Sequence, residues 1–211
     1  KDIKLSVPCV NISAALTPLL EMQADFAPAR YDFEGLDMRQ YDLPTESLNR
    51  KFRRVYEGHL PKRVIVAFYL QTAFSGQRDQ APLSTHPVDM RQITLSMNGV
   101  AVRELNTNFG EGVYTEAYMK FVEWMGLADK QTSITYEVFA QGNRYFCFDL
   151  YEKCPPLSAC GEETVQQGFI DIGIQLGNPL KDHCMMCVFC ETAETVEITK
   201  DRAARHIKTI V

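Results

Sequence analysis

The chain has 211 residues, 45% of them apolar and 23% charged, with a net charge of −5. It is long enough to bury a full hydrophobic core as one domain, and its composition is that of an ordinary globular protein. The acidic balance argues against a dedicated nucleic-acid binder, and no run reaches the roughly 18 apolar residues that span a bilayer.

The chain opens on Lys1 with no signal-peptide pattern, so it reads as a processed or trimmed piece of something longer. Ile3, Leu5, Val7 and Cys9 alternate with polar residues and proline, which predicts an opening strand. Ser13 to Gln23 reads as a short helix capped by Ser13 or Thr17, with Pro18 in its first turn. Leu36, Met38 and Tyr41 belong to a strand ending at Leu43-Pro44. Ser47 to Glu57 is charged and extended, and a turn is expected at Gly58.

The most informative stretch runs from Leu60 to Leu105. Val64 to Leu70 is an unbroken apolar run, as for a strand buried on both faces. Gly76, Pro82 and Pro87 then predict a long exposed loop from Phe74 to Met90. Ile93, Leu95 and Met97 alternate up to Asn98-Gly99, the signature of a hairpin closed by a type I′ turn.

Beyond the hairpin, Asn108 to Gly112 reads as a turn and Tyr114 to Met125 as a helix. The packing face of that helix carries Tyr114, Ala117, Tyr118, Phe121, Val122 and Met125. Strands are expected at Ile134 to Phe139, Arg144 to Tyr151, Phe169 to Leu176, His183 to Glu191 and Thr195 to Thr199. Asp201 to Val211 fits either a terminal helix or a tail. About eight strands with a single inserted helix predict an all-β fold, a two-sheet antiparallel sandwich of jelly-roll type. Helices do not alternate with strands, which disfavours a parallel βαβ design.

Chemistry-bearing motifs are few. His183-Cys184-Met185-Met186-Cys187-Val188-Phe189-Cys190, with Cys154 and Cys160 upstream, could offer thiolates to zinc. The intervening Met, Val and Phe belong in a strand, however, where Cys184 and Cys190 share one face and Cys187 takes the other. Seven scattered cysteines, an odd number, fit buried free thiols in a reducing compartment. Arg50, Lys51, Arg53 and Arg54, near Lys62 and Arg63, form one basic cluster. It reads as a solvated face that pairs with acidic residues of a neighbouring subunit rather than a phosphate site. His59, His86, His183 and His206 have no paired ligand spacing, and Gly110-Glu111-Gly112 is a turn rather than a dinucleotide fingerprint. Trp124 and the tyrosines nearby read as a packing face rather than a ligand site. No catalytic residue, cofactor or metal ligand is assigned.

Six short motifs, in order, resemble the double jelly-roll major capsid protein of Polinton/Maverick elements and their adintovirus relatives. Gly58-His59-Leu60-Pro61-Lys62-Arg63-Val64-Ile65-Val66 is similar to that family's Gly-x-Leu-Pro-Lys-Arg segment before a buried strand. Ala73-Phe74-Ser75-Gly76 resembles its Ala-Phe-Asn-Gly, and Leu95-Ser96-Met97-Asn98-Gly99 its strand ending in Val-Asp-Gly. Asn108-Phe109-Gly110-Glu111-Gly112-Val113-Tyr114 resembles Asp-Phe-x-x-Gly-x-Tyr, and Phe146-Cys147-Phe148-Asp149-Leu150 resembles Tyr-Ala-Phe-Asp-Leu. Val196-Glu197-Ile198 with Lys200 and Arg202 is similar to the closing Ile-Glu-Ile-x-Lys-x-Arg. The chain departs from the family at Ala81-Pro82-Leu83, where the family has Asn-Pro-Phe, and at the cysteine-rich strand, aliphatic in the family.

The resemblance implies the C-terminal half of such a subunit. Residues 1–10 would complete a preceding jelly roll, 11–33 form a helix and linker, 34–202 the jelly roll, and 203–211 a C-terminal tail. It implies a structural, non-enzymatic role in a virion capsid assembled inside the host cell. The implied partners are copies of itself in trimeric capsomers, neighbouring capsomers, and minor capsid or penton proteins, with no specific nucleic acid and no membrane span. Two other readings remain beside it: a lectin-like jelly-roll binding module, and a metal-dependent β-sandwich enzyme using Cys184, Cys187 and Cys190.

Overall fold

A computed structural model describes residues 27–46, 48–78, 84–126, 132–150, 167–199 and 203–208, with residues 13, 15–19, 22, 81 and 201 besides. The opening strand expected at Ile3 to Cys9 lies outside these residues, and of the helix expected at Ser13 to Gln23, positions 17–19 and 22 are helical. The described chain divides into a larger unit from Glu34 to Ala193 and a smaller one made of residues up to Phe33 and from Glu194 onward.

Eight strands build the sandwich: β1 (Ala29–Leu43), β2 (Asn49–His59), β3 (Arg63–Leu70), β4 (Met90–Met97), β5 (Val100–Asn106), β6 (Tyr145–Asp149), β7 (Gln167–Leu176) and β8 (Cys184–Ile198). One sheet has the order β1-β8-β3-β6, and the other β2-β7-β4-β5. Neighbours therefore come as 1 with 8, 2 with 7, 3 with 6 and 4 with 5, each pair in the sheet opposite the next. That is a long hairpin rolled once around a core, the topology of a jelly roll. A ninth strand, β9 (Ala204–Lys208), pairs with the end of β8.

Side-chain alternation sets the layers. Val64, Val66 and Phe68 of β3 stand opposite Cys190, Val188 and Met186 of β8, and all six are buried in the main core. From the other sheet, Ile172 and Ile174 of β7 meet Leu95 and Ile93 of β4. Each such side chain contributes about 1.5–3 kcal/mol by leaving water. β3 is buried on its second face too, where Ala67 and Tyr69 pack with Cys187. The apolar run therefore forms the doubly buried strand that its sequence predicts.

The hairpin forms as expected. Asn98 and Gly99 both hold positive φ, 52° and 82°, as a type I′ turn requires. The helix expected at Tyr114 to Met125 is α2 (Thr115–Trp124), which buries Ala117 and Phe121; a short α1 (Gln71–Phe74) precedes it in the chain. Met125 lies at its C-cap and is exposed, so it does not share the packing face.

Five expectations need correction. Ile134 to Phe139 is not a strand: α3 (Tyr136–Gln141) occupies it, because Thr135 caps the turn by accepting the Val138 N–H at 3.3 Å. Its alternation of Ile134, Tyr136 and Val138 coincides with a helical pair, Tyr136 and buried Phe139, one turn apart. Gly58 is not a turn but lies within β2 opposite Gly168, where its lack of a Cβ permits a φ of 126°. The stretch from Phe74 to Met90 is not exposed throughout. Its second half returns to the sandwich, where the His86 N–H donates to Phe68 O at 2.7 Å and Thr85, Val88 and Met90 are buried. The strands expected at His183 to Glu191 and Thr195 to Thr199 are one strand, β8, since no turn former separates them. Finally, residues 204–208 form β9 rather than a helix or tail.

Candidate assembly surface

The cysteine-rich strand separates its thiols as its alternation predicts. Cys184 and Cys190 lie in the main core, while Cys187 is buried on the opposite face beside Ala67 and Tyr69. Burial pushes the Cys184 and Cys187 thiols up to about 11, and those of Cys147 and Cys190 up to about 12. All four stay protonated at neutral pH and are poor ligands and nucleophiles. His183 turns away from them, its Nε2 lying 2.7 Å from the Asp42 carboxylate. The reading as a three-thiolate zinc enzyme is corrected by this geometry: one strand cannot converge sulfurs that it sends to opposite faces. Among the described residues, no three His, Cys, Asp or Glu side chains are grouped to hold a metal. Cys154 and Cys160 lie outside them.

Several members of the basic cluster have partners within the chain. Lys51 Nζ lies 3.4 Å from Asp171, and Arg54 lies 3.6 Å from Glu57 with its guanidinium over the Phe169 ring. Arg50 sits over Phe52, and Arg63 meets Glu191 at 3.4 Å. Exposed ion pairs of this kind add little stability, but Asp171 has a second role. Its Oδ1 accepts the Arg54 backbone N–H at 2.9 Å, and here β2 bulges, shifting register between Phe52 and Tyr56 with Arg54 at φ 50°. The bulge lets Val55 and Tyr56, adjacent in sequence, both be buried.

One cluster escaped sequence reasoning. Arg144, only 8% exposed, donates through Nη1 to Val88 O and through Nη2 to Ala140 O, both at 2.5 Å. Its guanidinium lies 3.6 Å above the Phe109 ring, which stacks on Tyr114, which stacks in turn on Tyr136. Burial pushes Arg144 down to about 10, still charged at neutral pH. One cation thus ties together three connections that leave the sandwich: residues 84–90, 109–114 and 136–144. Tyr118 and Phe121 of α2 pack on Phe139 of the same cluster, so the aromatic stripe is a packing face. Nothing in the sequence around Arg144 marks it, since its partners are backbone carbonyls far along the chain.

Two concavities are formed by the described residues. A cleft of about 100 Å³ between α2 and the ends of β3 and β6 is lined by Arg63, Trp124, Cys147 and Asp149, well below the size of a small-molecule pocket. A shallow trough of about 370 Å³ crosses the outer face of the four-stranded sheet, lined by Asn49, Lys51, Gln92, Thr94 and Gln175.

No family model matches the sequence, and no curated protein matches it. Solved structures do share the fold. A chain in the 3.5 Å cryo-EM structure of the Sputnik virophage matches with TM-score 0.51 and 10% identity, over 88% of this chain and 40% of that one. PBCV-1 VP54, as fitted into a reconstruction of the virophage Sputnik, matches with TM-score 0.51 and 9% identity, over 85% of this chain and 51% of that one. The fold is the viral jelly roll. This chain spans about half the length of the viral chains that it matches.

In this jelly roll the rims differ. β6 and β5 close one side, where Arg103 Nε donates to Asp149 O at 3.0 Å. β1 and β2 form the other, where Tyr41 Oη donates to Val55 O at 2.9 Å. Leu36 and Met38 of β1 are 64% and 43% exposed there, beside polar Gln40 and Asp42 on the same face. Among the described residues, no helix is long and apolar enough to cross a membrane.

Proposed function

We propose that this chain is a structural capsid protein that works by self-association rather than catalysis. In this reading it is one jelly-roll half of a double jelly-roll major capsid subunit, from a Polinton- or adintovirus-like element, that assembles as trimeric capsomers of an icosahedral shell. The observation that carries the proposal is the jelly-roll strand order, β1-β8-β3-β6 over β2-β7-β4-β5, in a chain whose fold matches viral chains about twice as long. The six sequence motifs support the same family, and the thiols and basic cluster offer no competing chemistry. The jelly roll in this reading takes in residues 34–202 together with the start of β1 at Ala29, with 1–10 as a strand completing a preceding jelly roll, the residues between as helix and linker, and β9 pairing with the end of β8. The partners are other copies, neighbouring capsomers, and minor capsid or penton proteins, within a virion assembled inside the host cell.

Electron microscopy of the purified full chain, over a range of concentration and ionic strength, tests this reading. Three-fold capsomers or shell fragments are the expected result. A chain that stays monomeric or dimeric under every condition overturns it.

A further inference from the structure

The two strands on the open rim differ in the bulge and in the sign of the charge they carry. An edge strand exposes unpaired N–H and C=O groups, and proteins usually block it with charge, proline or a bulge. β2 has two of those defences: Arg50, Lys51, Arg53 and Arg54 in sequence, and the Asp171-held bulge with Arg54 at positive φ. β1 also carries charge, but of mixed sign (Arg30, Asp32, Glu34, Asp37, Arg39 and Asp42); it has neither a proline nor a positive φ in its 15 residues, and it presents Leu36 and Met38 to solvent. Among the described residues, no strand lies beyond it.

We infer that the β1 edge pairs with β1 of a second copy, antiparallel about a two-fold axis, joining the two sheets into one. Symmetry, charge and the exposed Leu36 together select the register. Antiparallel neighbours can be related only by an axis perpendicular to the sheet, which keeps each residue on its own face and places one residue opposite itself. An axis at Asp37 brings two aspartates together, one at Glu34 two glutamates, and one at Met38 sets Glu34 against Asp42. An axis at Gly35 opposes glycine to glycine and places Leu36 against Glu34. Axes at Gln40 and Tyr41 also oppose no like charges within β1, but they set Leu36 against Pro44 and Glu46, beyond the strand. An axis at Leu36 opposes no like charges and stacks the two exposed leucines, with Met38 against the stem of Glu34. Strand pairing of this length buries less than the roughly 1,600 Å² of a standard interface, so the dimer is weak and depends on concentration. The inference does not rest on the capsid reading.

Disulfide trapping tests the register. The two Cα atoms of a self-opposed residue lie about 4.5–5.5 Å apart, within disulfide reach. Leu36→Cys in the full chain should give a covalent dimer under mild oxidation, while Gln40→Cys and the wild-type chain should not. Sedimentation of the wild-type chain should show a concentration-dependent pairing step, of monomers or of larger assemblies, that Leu36→Lys weakens at least tenfold with an unchanged circular dichroism spectrum. A wild-type chain that is monomeric at several hundred micromolar overturns the inference. So does a pairing step that Leu36→Lys leaves intact, or trapping through Gln40→Cys in place of Leu36→Cys. Shells that form without trapping at Leu36 would remove this interface and leave the capsid reading standing.

Discussion

The Arg144 guanidinium lies 3.6 Å above the Phe109 ring while its two terminal nitrogens serve the carbonyls of Val88 and Ala140. A single buried cation thus holds three loops at one end of the jelly roll. Arg144→Met keeps the bulk but strips the guanidinium donors from Ala140 O and leaves Val88 O with the Met90 N–H alone, and should cost about 2–4 kcal/mol in urea denaturation. Arg144→Lys keeps the charge, yet cannot span both carbonyls while lying flat on the ring. It should recover less than half of that loss, and full recovery would show that charge alone matters.

Asp171 governs the edge bulge. Asp171→Ala removes the acceptor of the Arg54 N–H and should cost about 1–3 kcal/mol, with faster amide exchange at Arg54. Asp171→Asn can still accept that bond through its side-chain oxygen, so it should lose the Lys51 ion pair and little else. Equal losses in the two variants would contradict this assignment.

The hairpin turn separates backbone strain from side-chain contact. A Cβ at Gly99 meets no atom within 4 Å, so Gly99→Ala should cost about 1 kcal/mol through its φ of 82° alone. Asn98→Ala loses both a residue tolerant of positive φ and the bond that Asn98 Oδ1 accepts from Phe169 N–H at 3.0 Å. Its thermal shift should be the larger of the two.

Thiol titration gives a pH dependence of definite sign. Cys147, Cys184, Cys187 and Cys190 have folded values of about 11–12, above the ordinary 9.0. The folded chain therefore holds protons that the unfolded chain releases. This contribution to stability is complete below about pH 9 and is lost as pH rises towards 11–12. Mass spectrometry after alkylation at pH 8 should leave these four unmodified in the native protein and label them after denaturation. Native labelling at Cys187 would show that its strand face opens.

An unbroken apolar run in the amino-acid sequence was enough to find β3, and the period of two to find the β4–β5 hairpin and β7 and to place Cys187 on the face opposite Cys184 and Cys190. Those features depend on neighbours one to four residues away, and local pattern reports faces and turns directly. Thr135 and Gly58 show where that stops. A cap turned an alternating stretch into α3, and a glycine expected to end a strand sits inside one opposite Gly168. Strand order, the rim formed by β1 and β2, and the Arg144 cluster came only from tertiary structure. Their partners are tens of residues apart or are backbone carbonyls, and no local pattern encodes which distant strand supplies a hydrogen bond. Alternation decides which way a side chain points, but only the closed sandwich decides what it meets.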